Sequence, residues 1–465
     1  MKISERLASY SADLKFEDIP KKVVEKVKEV FLDLLGCTLA GSTAAGCKII
    51  VDIVNEYGGK EESTLIAYGG KKPAPLAALA NGTMGHALDF DDTHDTAVLH
   101  TSVCVVPAAL ALAERQRTSG KDFITAITAG MEIHCRMGVA SKYPPPKYGW
   151  IYTPIMGTFG ATCAASKILG LNKEGTLNAL GICYSEAAGN SQSLIEGTLA
   201  KRLQAGLAAK NGVLAAVLAE KGFTGPKSSL EGKYGFYKVY LRGSYDPEKL
   251  VDKLGSKFEV SNLSLKPYPC CRWTHSTIDA VIGAKRKYGI KPEEVESIDV
   301  GVSKAAFAVV CEPEDLKYNP VTIVDAQFSL PYVSGCAMIK GDVFIDDFQV
   351  GSIKRTDVLE MTKKVRPRVD EGIDKKAGRQ ISPSIVRIRT RKRTFEVQVD
   401  LPLGHPKSPL TYEQCYEKFR KCSRFALRPL GTERVKEIGR LVENLERLQD
   451  ISELTSMLVC EPEDS

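Results

Sequence analysis

The apolar residues of this chain change their period twice, and that double change constrains the fold more than any single motif does. From Pro20 to Cys37, Val23, Val24, Val27, Val30, Phe31 and Leu34 recur at helical spacing, with lysines and glutamates between them. Asp18 is placed to cap this helix and Pro20 to sit in its first turn. Pro73–Leu88, Val103–Arg115, Phe123–Gly138 and Gly157–Gly170 read as further helices, the second of them behind Thr101-Ser102, good N-cap residues. Past Leu263 the pattern turns to alternation. Ser297–Val302 and Ser384–Leu401 read as strands, with Arg391-Lys392-Arg393 at a hairpin tip. Helix returns in Thr411–Phe425 and Glu433–Leu448. The expected fold is therefore mainly α with an inserted α/β segment. Residues 1–263 and 406–465 form a helical domain, and residues 264–405 form the insert.

A length of 465 residues supports this division, because one ordinary core does not grow that large. No run of about 18 apolar residues is present, which excludes a helical membrane span. The segment Met1–Arg6 lacks the apolar stretch of a secretion signal, so the expected location is cytoplasmic. The net charge of +6 is mild, and no basic stripe with interleaved aromatics points to nucleic acid. The 13 cysteines are scattered, and Cys37, Cys163, Cys183 and Cys336 have small or apolar neighbours, as buried thiols in a reducing compartment do. With no Cys-x-x-Cys pair, and only the adjacent Cys270-Cys271, neither a metal nor a cofactor is expected.

Three polar segments carry the chemistry. The first, Asn81 to Ser102, packs four aspartates (Asp89, Asp91, Asp92, Asp95) and three histidines (His86, His94, His100) between apolar helices. As a surface loop this would be ordinary, but its apolar flanks argue that the charges are buried and paired. His100 precedes a helix start, where the dipole disfavours a charged ring and suits a base. Asp91–Asp95 also fits a magnesium-diphosphate pattern, yet no second acidic motif of that kind accompanies it. The second segment, Gly197–Gly206, sets Lys201 and Arg202 among small residues. In the third, prolines hold Lys266, Arg272 and His275 close in sequence. Together the cations look like a clamp for carboxylates. Gly157–Ser166 could be taken for a phosphate loop, but no strand precedes it, so close helix packing explains its small residues better.

These segments, together with Gly157–Leu171, Asp325–Tyr332 and Gly404–Phe419, resemble the MmgE/PrpD family along nearly the whole chain. The resemblance implies a helical domain, a smaller α/β lid and a homodimer. It also implies site positions at Asp89, Thr93, His100, Lys201 and Lys266; the cation clamp adds Arg202, Arg272 and His275 as candidate substrate contacts. Decarboxylases and dehydratases of this kind often carry a histidine where this chain has Ile151, and Tyr152 is the nearest polar substitute. The expected activity is that of a lyase on a small di- or tricarboxylate, moving a proton at a carbon next to a carboxylate. His100 would transfer the proton, the lysines would stabilise the developing charge, and Tyr152 would be available as an acid. An epimerase of an imino-dicarboxylate and a non-catalytic carboxylate binder are the alternatives.

Overall fold

The computed structural model of the protein describes residues 1–143, 145–379 and 381–460. The chain divides into two compact units, one made of residues 1–263 with 411–465 and one of residues 264–410. The second boundary falls a few residues beyond the expected 405. Among the described residues no helix is long and apolar enough to cross a membrane. Every cysteine is buried, and none of the described ones is joined in a disulfide.

The first unit is a stack of helices. Lys21–Gly41, Ala74–His86, Ser102–Gln116, Gly120–Ala140, Tyr152–Ile168 and Ala200–Glu220 form it, with Tyr412–Ser423 laid against the first of these. The predicted helices are present, several of them longer by a turn. Their predicted starts are less accurate. Asp18 accepts a hydrogen bond from the Lys15 backbone at 2.9 Å and so closes a preceding short turn, while Pro20 lies just outside the long helix. Thr101 contributes no side-chain cap to Ser102–Gln116; the cap is supplied by Asp92, as described below.

Small residues set the helix spacing. A Cβ on Gly206 would lie 2.3 Å from the Leu79 carbonyl oxygen and from Thr83 Oγ1, and one on Gly82 would lie 3.0 Å from Gly206 Cα. Only glycine allows Ala200–Glu220 to cross Ala74–His86 so closely, and this crossing carries Lys201 toward the end of the Ala74–His86 helix. Gly157 and Gly160 do the same for Tyr152–Ile168, which presses against Cys104, Gly130 and His134. Packing, rather than phosphate binding, accounts for the Gly157–Ser166 segment.

The second unit is built on a four-stranded sheet in the order Val365–Val369, Val295–Val302, Ser384–Thr390, Thr394–Val399. The first pair is parallel and the other two are antiparallel. Ile298, Val300 and Val302 are buried and join Val386, Ile388, Ile278, Val281 and Val333 in one core. The helices His275–Tyr288 and Leu330–Lys340 cover that core. Arg391–Arg393 form the predicted tip between the last two strands.

Candidate active site

The polar segment after Ala74–His86 is not a surface loop. Asp91, Asp92, Thr93 and His94 are all buried. The chain enters it through Asp89, which holds a left-handed backbone with φ of 54°. A non-glycine residue there is uncommon, though aspartate tolerates it better than most. The loop then doubles back: His94 N donates to the Leu99 carbonyl and Val98 N to the His94 carbonyl, both at 2.8 Å. That return brings His100 beside Asp91 and Asp92.

Asp92 accepts hydrogen bonds from Thr101 N at 3.2 Å and Ser102 N at 3.1 Å, and from the Ser102 hydroxyl. A carboxylate thus satisfies the first amides of the Ser102–Gln116 helix and lies at the positive end of its dipole. Burial, then the charge of Asp91, pushes the Asp92 carboxyl up, and the helix bonds oppose that shift.

Asp91 lies between two imidazoles. His86 Nδ1 is 3.1 Å from both of its oxygens, and His100 Nδ1 is 3.1 Å from Oδ2. His100 Nδ1 is also 2.7 Å from the Asp92 carbonyl oxygen. Burial works to raise the Asp91 carboxyl, but the two rings outweigh it and hold the group well below the usual carboxylate range. Burial also pulls His86 down to about 4, so this ring is neutral near pH 7. Among the described residues this trio has the spacing of metal ligands, with its ligand atoms within 4.8 Å of one another. The sequence spacing did not reveal it. Its 3.1 Å contacts are also those of hydrogen-bonded partners, which accounts for the grouping without an ion.

His100 keeps 13% of its side chain exposed while Asp91 keeps none, so the histidine is the member of the trio that can meet a ligand. Its backbone N donates to Thr153 Oγ1 at 3.0 Å. Lys201 Nζ lies 2.5 Å from Asp89 Oδ1, with 20% of the lysine side chain exposed. The structure therefore brings together Asp89, Lys201 and the buried loop carrying Thr93 and His100.

Other expected contributors are placed differently. The Tyr152 hydroxyl is buried and donates to the Tyr143 carbonyl at 2.8 Å; its neighbour Thr153 is the residue that touches His100. Arg202 Nη1 donates to the Ala45 carbonyl at 2.9 Å, which turns it toward the end of the Lys21–Gly41 helix. His94 accepts from Ala97 N at 3.1 Å through Nδ1, and its Nε2 is 3.5 Å from Glu259. His94 and then burial act in opposite directions on Glu259, and the histidine prevails, holding the carboxyl well below its ordinary range.

In the second unit Lys266 and Arg272 are both buried. Arg272 Nη1 contacts His275 Nδ1 at 3.2 Å and donates to the Leu403 carbonyl at 3.3 Å. His275 Nε2 is 3.3 Å from the Cys270 carbonyl, so both ring nitrogens brace the segment instead of facing outward. Gln327 Nε2 donates to the Pro269 carbonyl at 3.1 Å, and Cys271 N donates to the Gln327 carbonyl at 2.9 Å. This bracing explains why two segments far apart in sequence belong to one pattern.

A further buried histidine, His134, escaped the sequence reading because it sits inside an apolar helix. Neither ring nitrogen completes a hydrogen bond, and burial pulls it down to about 3, against the Tyr152 backbone. His134 and His86 have folded values below the ordinary 6.5, so the unfolded chain binds more protons between those limits. Their stabilising effect is complete above about pH 6.5 and is lost as pH falls toward 4, by about 1.4 kcal/mol per unit for each group. Urea unfolding at pH 5 and pH 7 checks this. His134→Leu should flatten the pH dependence, and an unchanged slope would remove His134 from the account.

Known proteins resemble this chain over nearly its whole length. A cis-aconitate decarboxylase-like protein of Aspergillus oryzae is 29% identical, over 98% of this chain and 97% of its own. A cis-aconitate decarboxylase of Aspergillus terreus is 30% identical over 98% and 96%, and the human cis-aconitate decarboxylase 28% over 98% and 94%. Residues 5–248 match the MmgE/PrpD N-terminal domain and residues 268–446 the C-terminal domain, so the chain belongs to the MmgE/PrpD family.

Proposed function

We propose that this protein is a carbon–carbon lyase that decarboxylates cis-aconitate or a closely similar unsaturated tricarboxylate. The observation that carries the reading is a part-exposed histidine, fixed through Nδ1, on the same loop as an aspartate that pairs with Lys201 of the Ala200–Glu220 helix. Lys201 holds a substrate carboxylate, and Asp89 keeps the ammonium aimed. Loss of carbon dioxide breaks a carbon–carbon bond and leaves its electron pair spread over an allylic system next to a carboxylate. The lysine stabilises that charge. The proton on His100 Nε2 then goes to the carboxylate-bearing carbon at the far end of the allylic system, the double bond ends in a terminal methylene, and the ring regains a proton from solvent. The same parts could run a dehydration, so substrate choice is decided by experiment.

Methylcitrate, citrate, cis-aconitate and iminodisuccinate followed by NMR in deuterated water separate the possibilities. Loss of carbon dioxide from cis-aconitate, with one deuteron in the product, is the expected result; dehydration of methylcitrate alone would replace this reading. Lys201→Ala should lower turnover by about 10²–10³-fold with the fold retained, as loss of one buried stabiliser of developing charge does. Lys266→Ala tests the position that the family resemblance carries over. Near wild-type turnover in either variant would remove that lysine from the mechanism.

A further inference from the structure

We infer that Asp91 is a positioning residue for His100, and that His86 acts as a fixed donor holding Asp91 in place. The inference rests on the proposed role of His100 in proton transfer. It starts from a carboxylate with two imidazole Nδ1 atoms against it, both at 3.1 Å, in a place where it is wholly buried. A buried carboxylate is costly unless its lone pairs are filled by donors. His86 Nδ1 supplies such a donor to Asp91, and His100 Nδ1, whose hydrogen bond goes to the Asp92 carbonyl at 2.7 Å, faces Asp91 Oδ2 at ion-pair distance; both arrangements need the proton on Nδ1.

For His100 the consequence is chemical. With Nδ1–H turned inward to Asp91 and to the Asp92 carbonyl, Nε2 is the atom left to exchange a proton. The negative charge opposite Nδ1 then stabilises the ring whenever Nε2 is protonated. His86 works at one remove. Its ring stands edge-on to His100, with centroids 5.0 Å apart and planes at 65°. It is also the last residue of the Ala74–His86 helix, so its place is set by helix packing. Because it contacts both oxygens of Asp91, it fixes the rotation of that carboxylate, which a single contact to His100 would not.

A double-mutant cycle tests this. Asp91→Asn must turn an amide toward one ring, and it removes the charge. In the wild-type background it should lower kcat on cis-aconitate about 10²-fold with KM little changed, and shift the pH profile of kcat. In a His100→Gln background the same substitution should cost almost nothing further, because Asp91 acts through His100. Full additivity of the two losses would mean a merely structural role and would overturn the inference.

His86 supplies a second arm should Asp91→Asn fold poorly. His86→Asn keeps a donor near the Nδ1 position and should stay within about 3-fold of wild type. His86→Leu removes the donor and should lose about 10-fold or more. Equal activity in the two His86 variants would refute the fixed-donor role. If His100→Gln itself turns over normally, the proton-transfer reading fails and this inference falls with it. If His100→Gln is inactive but Asp91→Asn is normal, only the inference fails.

Discussion

His100→Gln should lose most of the chemical step, by about 10²–10⁴-fold in single-turnover rate, while substrate binding and the fold stay close to wild type. His94→Gln should cost far less. The structure gives the reason for the contrast. His94 has its Nδ1 committed as an acceptor to the Ala97 amide and its Nε2 near Glu259, so it holds the loop's return. His100 has only Nδ1 committed inward and retains an exposed edge. Rapid-quench turnover and deuterium exchange into substrate measure both variants. A dead His94→Gln beside an active His100→Gln would reverse the assignment.

Lys418→Met should lower the stability of the first unit by about 3–5 kcal/mol, the usual cost of removing one partner from a buried ion pair. Lys418 Nζ is 2.7 Å from Asp33 Oδ1, with both side chains almost fully buried. It also donates to the Phe90 carbonyl at 2.8 Å and stands 3.6 Å from the centre of that ring. Removing it leaves Asp33, which burial already pushes up to about 6, without its compensating charge. Adding Asp33→Asn should restore part of the loss, since deleting both partners is far less costly than deleting one. Urea unfolding of the single and double variants checks this. A loss below about 1 kcal/mol for Lys418→Met would show that the pair is not the strut described.

Much of the fold can be read from the sequence because burial obeys a local period. Val23, Val27, Phe31 and Leu34 line one side of a helix, and Val386, Ile388 and Thr390 one side of a strand, and all are buried. The strand Val365–Val369 escaped because Arg-Pro-Arg breaks its alternation, and its pairing with Val295–Val302 is non-local. The site divides the same way. Asp89, Thr93, His100 and Lys201 stand out as charged or polar residues between apolar helices. Asp91 and His86 stand in the same segment, but their partnership is not legible there, because it depends on a left-handed turn at Asp89 that no period encodes. Thr101 is a plausible cap by residue type, but Asp92 is already folded back onto the same amides. Arg202 and Tyr152 lie near the site in sequence, and their side chains bond to the Ala45 and Tyr143 carbonyls.

The bond from Lys418 to the Phe90 carbonyl spans 328 positions of sequence. A chain emerging from the ribosome makes the aspartate–histidine loop early, then threads through the whole α/β unit before the lysine that grips that loop is synthesised. Until then Asp33 is without its cation and the loop without its strut. Assembly of the first unit therefore waits on the helix Tyr412–Ser423, and a nascent chain that stops short of it should have every proposed catalytic side chain and little turnover.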